Sequence, residues 1–434
     1  MRPSARMLAA AGLWLALALA VSWRSALLDV WAGLGLVLAL AALIDGLRGR
    51  VVPAPELSRT GPGSLALGAW AAFKVTLRNP SAATLRLSLF DGYPTAHEMR
   101  GLPQSVEVLA GEGVELTWRL RPMVRGPFEI APAEVLLQSP WGLWRRHLRV
   151  GDPTPFRVYP DFRQVMRYAL LASDDRVATM GIHQRRRRGE GLEFFQLREY
   201  RPGDALRQID WKATSRRAAL VSREYQDEQN QQLVFLLDCG SRLRAEDGGL
   251  THFDHALNAM LLLTYVALRQ GDAVGLMTFS GPERWVAPHR GRGQLRVLQD
   301  QVYDLQSTLA PSDYREAASR LLTRQRRRAL VVVLTNLKDE DNAELKPAIA
   351  SLKQKHLVLV TSLREASLGQ LVEQPVGDLD DALRFTSALH FLEQRRAAHE
   401  RLRGQGVFSL DVEPLQLPVA LVNQYLDIKS AGLL

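Results

Sequence analysis

The residues best placed to do chemistry close two apolar runs. Asp238 ends residues 233–238 (LVFLLD) and is followed by Cys239, Gly240, Ser241 and Arg242, while Thr335 ends residues 329–335 (ALVVVLT). Continuous apolar runs of this length read as buried parallel strands, and in an open α/β sheet ligands bind outside the carboxyl ends of the strands. Asp238, Ser241 and Thr335 are oxygen donors of the kind a hard cation takes, but such an ion needs several of them, and Arg242 sets a positive charge beside the loop. A degenerate, weak or lost metal site is therefore expected, with Asp238 paired to Arg242 in place of the ion. Cys239 and His255 could form a nucleophile and base with Asp238, against the plainer reading of a small buried residue at a strand end. His252 and His255, three apart at a helix start, could present two metal ligands or serve as cap and surface residues. There is no Gly-Lys dipeptide, hence no Walker A loop, and neither Gly-x-Ser-x-Gly nor His-Glu-x-x-His occurs. The expectation is a chain that is not an ATPase and not an enzyme.

The densest polar stretch is residues 189–217, GEGLEFFQLREYRPGDALRQIDWKATSRR, preceded by Arg185-Arg186-Arg187-Arg188. Four consecutive arginines could contact phosphates of nucleic acid or anionic lipid, or form a solvated linker. No recognition helix, aromatic pair or zinc finger accompanies them, so nucleic acid is not an expected partner. Asp204, Arg207 and Asp210 share one face if the segment is helical, with Trp211 beside them. Arg198, Glu199, Tyr200, Asp204, Arg207, Asp210, Trp211 and Arg216 are the candidate partner-binding surface, Tyr and Trp being residue types that anchor interfaces. The alternative is an internal salt-bridge mesh holding an irregular loop.

These candidates need elements to hold them. At 434 residues, with 47% apolar and 23% charged residues, the chain suits globular domains plus an apolar extra rather than disorder or a polytopic transporter. Net charge is +9, and since 7 of the 55 basic residues are Lys, the excess is arginine. The lone Cys239 excludes an internal disulfide and a cysteine zinc cage. Residues 7–23 and 26–44 are apolar, the second interrupted by Asp29, and each suffices to span a bilayer. Arg2, Arg6, Arg48 and Arg50 flank the pair against Arg24 in the turn, which predicts a hairpin with both ends in the cytoplasm and Trp23 and Trp31 near the interface. A cleaved signal peptide is the alternative. Residues 65–159 alternate with period two between turn signals, as a small Ig-like antiparallel sandwich would, and read as a spacer or interaction module. Beyond residue 229, further runs at 272–279 and 356–361, with helices at 252–269, 293–305, 314–324 and 340–353, predict a doubly wound α/β domain. Thr251 and Asp254 form a capping box for the first of these helices. The expected division is 1–50 anchor, 51–165 β-sandwich, 166–228 polar linker block and 229–434 α/β domain.

The run Glu193-Phe194, Leu197-Arg198-Glu199-Tyr200, Pro202-Gly203-Asp204, Arg207, Ile209-Asp210-Trp211 and Ala213, with Ser139-Pro140-Trp141-Gly142-Leu143 and the ending 425–429 (YLDIK), resembles the bacterial family called domain of unknown function fifty-eight. The C-terminal pattern is similar to a von Willebrand factor A-type domain, whose Asp-x-Ser-x-Ser metal loop is replaced here by Asp238-Cys239-Gly240-Ser241-Arg242, with Thr335-Asn336 where an acid is expected. The resemblance implies work beside a MoxR-type AAA+ ATPase in assembly or maturation of client proteins. The resulting expectation is a non-catalytic adaptor, held by its hairpin in the bacterial inner (plasma) membrane with its soluble domains in the cytoplasm, and requiring no cofactor, magnesium being the one ion its loop would admit.

Overall fold

The computed structural model describes residues 1–21, 23, 27–160, 193–201, 209–217, 219–226, 231–338 and 342–433. The chain divides into two compact units, Met1–Tyr159 and Pro160–Leu434.

The first unit begins with strand β1 (Arg2–Pro3) and two apolar helices, α1 (Ala5–Val21) and α2 (Leu28–Val51). Helix α2 is long and apolar enough to cross a membrane, whereas α1, apolar over Ala5–Leu19, is shorter. At 1.5 Å per residue its 24 residues reach about 36 Å, beyond the roughly 30 Å of a hydrocarbon core. Most of its apolar side chains are exposed, among them Leu36, Val37, Leu43 and Leu47. The two helices are joined by a tryptophan pair: Trp14 and Trp31 stack with ring centroids 4.5 Å apart, and each indole N–H donates to the other's backbone carbonyl at 3.0 Å. Trp31 is engaged by Trp14, while Trp23 is 92% exposed.

The rest of this unit is two mainly antiparallel sheets. The four-stranded sheet runs β2 (Glu56–Thr60), β4 (Ala71–Arg78), β8 (Gly113–Arg121), β6 (Glu98–Arg100). The seven-stranded sheet joins β1, β3 (Ser64–Ala66), β5 (Leu85–Gly92), β7 (Gln104–Val108), β9 (Gly126–Gln138), β10 (Trp144–Val150) and β11 (Thr154–Tyr159). Alternation decides the buried face: Phe73, Val75 and Leu77 on β4 and Leu85, Leu87 and Leu89 on β5 are buried between exposed or half-buried neighbours. Side chains of the two sheets meet where Phe73 contacts Phe156 edge-on at 6.2 Å. The buried Arg59 on β2 donates to Asp91 on β5, and Asp91 also accepts from the Trp118 indole of β8 at 2.9 Å. That buried pair ties one sheet to the other.

The second unit opens with a two-stranded antiparallel sheet, β12 (Glu193–Glu199) and β13 (Val221–Gln226), with helix α3 (Trp211–Arg217) between them in sequence. Its main sheet has the order β18-β17-β14-β19-β20-β21. The strands β14 (Gln232–Asp238), β17 (Ala273–Phe279), β19 (Leu330–Leu334), β20 (Leu357–Leu363) and β21 (Phe408–Val412) are parallel, and β18 (Trp285–His289) is an antiparallel edge. A short hairpin of β15 (Glu246–Asp247) and β16 (Leu250–Thr251) precedes helix α4 (His252–Arg269). Then follow α5 (Gly293–Val302), α6 (Tyr314–Arg324), α7 (Asn342–Lys353), α8 (Ala366–Glu373), α9 (Leu379–Gly404) and α10 (Leu417–Ser430). Two cores form on opposite faces. Leu233, Phe235 and Leu237 pack with α4, α5 and α10, while Val234 and Leu236 pack with α6, α7 and Leu402 of α9. This is why β14 and β19 read as unbroken apolar runs over 233–237 and 330–334. Helix α4 starts in a complete Thr251–Asp254 capping box.

Candidate functional site

Strand β14 has β17 on one side and β19 on the other, and the chain visits β17 first. The winding direction therefore reverses beside β14, and the carboxyl ends of β14 and β19 border the position where such sheets bind ligands. Asp238 and Thr335 stand there, both buried. Thr335 donates its hydroxyl to Asp238 Oδ2 at 2.7 Å, Ser312 donates to the same oxygen at 2.6 Å, and the Gly240 N–H donates to Oδ1 at 2.8 Å. The Tyr314 hydroxyl meets Thr335 Oγ1 at 3.0 Å, adding a further member to the network. Three donors directed at one carboxylate satisfy it without an ion.

Of the three expected metal ligands, the fold brings together Asp238 and Thr335. Ser241 is exposed, starts a short 3-10 turn (Ser241–Leu243) and uses its N–H on the Ala310 carbonyl at 2.9 Å. The loop carrying Ala310 and Ser312 lies over the end of β14, since Thr308 N–H also donates to the Cys239 carbonyl at 2.6 Å. A side chain at Gly240 would have its Cβ 2.7 Å from the Ala310 oxygen, so a hydroxyl residue does not fit there while this loop is closed. One carboxylate with both oxygens engaged is a poor set for a hard divalent cation. Among the described residues no group of three or more His, Cys, Asp or Glu could hold a metal. Sequence reading missed Ser312, because a serine in a loop about seventy residues downstream carries no periodic signal.

Cys239 is fully buried. The His255 Nε2–H donates to the Asp247 carbonyl at 3.1 Å, so the imidazole is engaged by the β15–β16 hairpin. His252 is wholly buried, and desolvation lowers its pKa.

A second buried network seals the same end of the sheet. Arg395, in the middle of α9, donates to Asp411, to Asn336 Oδ1 at 2.9 Å, to Ser362 Oγ at 2.6 Å and to the carbonyls of Leu337 and Leu363. One guanidinium thus joins the chain after β19, the end of β20, and β21 to one helix. Asn336, standing where an acid was expected, turns to this arginine rather than toward Asp238. His399, one turn on, meets Ser409 through Nδ1, and burial drives its imidazole down to about 4 against the opposing pull of Asp411.

Of the proposed partner surface, Asp204 and Arg207 lie outside the described residues, as do Arg185–Arg188. Asp210 precedes α3 instead of belonging to a helix with them. It caps α3, with the Ala213 N–H donating to Oδ1 at 3.0 Å, and its own N–H reaches the Val221 carbonyl at 2.9 Å. Tyr200 N–H bonds the Leu220 carbonyl at 2.9 Å, continuing the β12–β13 pairing. Glu199 and Arg216 are exposed, Arg198 and Tyr200 half-buried, and Trp211 is 67% exposed.

Two sequence features outside these sites acquire partners. The turn at 139–143 grips the end of α2: Asp45, wholly buried, accepts from the Ser139 hydroxyl and from the N–H groups of Trp141 (2.9 Å) and Leu143 (3.0 Å). Gly142 supplies the positive φ of +73° that the turn needs, and Trp144 donates its indole N–H to the Ala42 carbonyl at 2.8 Å. Arg146 donates to the carbonyls of Gly49 and Arg50 at the end of α2 and to that of Val52 just beyond it. Near the C-terminus, Tyr425 and Lys429 converge on the buried Asp272 before β17, pinning α10 to the sheet and raising the Tyr425 pKa by burial.

Residues 196–399 match the family described as Protein of unknown function DUF58. The matched segment lies within the second unit and contains Trp211, the Asp238 network and Arg395. The uncharacterized protein YeaD of Bacillus subtilis (strain 168) is 26% identical over 92 residues, and the alignment spans 21% of each chain. Among solved structures, a CARDB domain from Pyrococcus furiosus (12% identity, 25% of this chain and 90% of that one) has a TM-score of 0.18. A FixG-related protein from Vibrio parahaemolyticus (12% identity, 25% and 98%) has a TM-score of 0.19. Likeness at this level carries no argument about fold.

Proposed function

We propose that this chain is a non-catalytic adaptor, anchored in a bacterial inner membrane, that works with a MoxR-type AAA+ ATPase in assembly or maturation of client proteins. The observation that carries the reading is Trp211: an indole 67% exposed, on a short helix held at its start by the Asp210 cap and at its middle by the N–H of Val221 donating to Thr214 Oγ1 at 3.1 Å. A large aromatic side chain shown to solvent on a fixed backbone suits a binding hot spot. In the same reading α1 and α2 form the anchor, with Arg48 and Arg50 at its cytoplasmic end. The two sheets of the first unit are an Ig-like spacer, and the second unit is a von Willebrand factor A-like domain whose ion loop has been replaced by the hydroxyl network around Asp238.

The test is a crosslinked pull-down of the detergent-solubilised full chain from its own cells, wild type against Trp211→Ala. Selective recovery of an AAA+ ATPase by wild type supports the adaptor and makes α3 its contact. Equal recovery by both proteins, or none by either, sinks that assignment. Because Trp211 is exposed, the variant is expected to unfold within about 0.5 kcal/mol of wild type.

A further inference from the structure

The first unit is woven together where its two apolar helices meet the sheets. Strand β1 pairs with the start of β10, setting Arg2 opposite Arg145 and Pro3 opposite Trp144. Ser4 donates its N–H to the Leu143 carbonyl at 2.8 Å and its hydroxyl to the Gly142 carbonyl at 2.6 Å. The turn at 139–143 closes over Asp45 of α2 at the same place, so residues 1–6, 45–50 and 139–145 form one junction. Two arginines from different helices converge on it. Arg48 of α2 lies over the Trp141 ring, 5.6 Å from its centroid, and Arg6 of α1 lies against Gly142, where an added Cβ would stand 3.1 Å from its Nη1. Both arginines are exposed, as is 47% of Trp141.

The acids around this junction do not neutralise the two arginines. Asp45 is buried, and its oxygens take the Ser139 hydroxyl and the N–H groups of Trp141 and Leu143. Glu56 opens β2 just beyond α2, and Glu112 stands before β8 at the same end of the four-stranded sheet, where Arg78 is opposite both Glu56 and Gly113. Among the described residues neither of these acids, nor any other, forms an ion pair with Arg6 or Arg48. The dipole of α2 favours Arg48 near its carboxyl end, but Arg6 stands in the first turn of α1, where a cation is disfavoured. Flanking charge that only sets membrane orientation needs basic residues close to the spans, not two of them gathered on an indole and a glycine of a strand turn distant in sequence.

We infer that this junction binds the phosphate of an anionic phospholipid headgroup, with Arg6 and Arg48 as its ligands and Trp141 seated at the interface beside it. The depth follows from α2. At 1.5 Å per residue Asp45 lies roughly 26 Å and Arg48 roughly 30 Å along the helix from Leu28, so a span beginning at Leu28 brings Arg48 to the edge of a hydrocarbon core about 30 Å thick. Indoles favour that depth, and the guanidinium fork fits phosphate oxygens in pairs. Asp45, holding the turn through three donors, presents the indole and both cations on a fixed backbone, which lowers the ordering cost of binding. A choline or ethanolamine headgroup would bring its own cation toward two arginines, so a headgroup of net negative charge is preferred. The inference rests on the anchoring role of α2.

The experiment purifies the detergent-solubilised full chain from vesicles of equal phosphatidylcholine and phosphatidylglycerol and measures the lipid it retains by mass spectrometry. Wild type is expected to hold phosphatidylglycerol several-fold over phosphatidylcholine, with Arg6→Gln/Arg48→Gln at the vesicle ratio and Arg48→Gln alone between the two. Should the double variant melt below wild type in phosphatidylcholine alone, Arg48→Gln decides by itself. The vesicle ratio in wild type overturns the inference, and so does an equal loss of preference in Arg2→Gln/Arg50→Gln, which would mark diffuse charge rather than the pair on the turn. Displacement of the retained phosphatidylglycerol by excess inorganic phosphate would assign the site to a soluble anion and overturn the lipid. Alkaline extraction of the chain from phosphatidylcholine vesicles reports on the anchor separately: a chain that washes off fails the anchor reading, whereas a retained chain without lipid preference fails the junction site.

Discussion

The two ends of the six-stranded sheet in the second unit use charge in opposite ways. At the carboxyl end, where a sheet of this topology offers its ligand site, Asp238 is saturated by Ser312, Thr335 and Gly240, and Arg395 is saturated by Asp411, Asn336, Ser362 and two carbonyls. At the amino end, Arg290, Arg292 and Arg326–Arg328 are exposed, and Asp272 is buried and engaged by Lys429. The carboxyl end is closed by the protein's own side chains, while Arg290, Arg292 and Arg326–Arg328 are exposed at the opposite end. Location on a fold therefore does not by itself assign a function; the state of the polar groups does.

Substitutions that open the sealed end would break this contrast. The largest effect is expected from Arg395→Ala, which leaves Asp411 and four further acceptors inside the protein without their donor. Loss of about 3–5 kcal/mol in denaturant unfolding is expected, and a loss near zero would show that the network holds nothing together. Asp238→Ala comes next, since it strands the hydroxyls of Ser312 and Thr335 and the Gly240 N–H, at about 1–3 kcal/mol. Wild type is expected to show no shift in melting temperature when magnesium is added, and a clear magnesium-dependent rise would reopen the end as an ion site.

The acid limb of stability follows from His399. Its unfolded pKa is about 6.5 and the folded one about 4, so the unfolded chain binds more protons between these values. Stability is therefore full above about pH 6.5 and falls toward pH 4, by up to about 1.4 kcal/mol per unit from this group. His399→Gln is expected to flatten that limb, as seen by urea midpoints at stepped pH, and an unchanged slope would count against the buried neutral imidazole. The smallest expected effect on stability belongs to Trp211→Ala, whose consequence should appear in partner capture.

Much of the α/β unit was legible because burial on both faces of a parallel sheet writes itself as unbroken apolar runs. Helices α4 and α6 fall at the expected 252–269 and 314–324. Strands β18 and β21 were not legible: WVAPH carries a proline suited to an edge, and FSLDV carries the polar Ser409 and Asp411, which earn their place by meeting His399 and Arg395. The pairing of β12 with β13 was hidden for the same reason, since charged strands give no period-two apolar signal. In the candidate site, Asp238 and Thr335 could be read from strand ends, whereas Ser312, Tyr314 and Arg395 come from loops and helices distant in sequence.

The sequence by itself determined the apolar helices, the alternation of the β-rich unit, the parallel strands and the cationic excess, because each depends on residue type and local spacing. Tertiary structure decided that Asp45 is held by the turn at 139–143, that Asn336 serves Arg395, and that Asp238 is capped by hydroxyls. Those outcomes depend on which donors meet across long sequence separations, and no local pattern records such meetings.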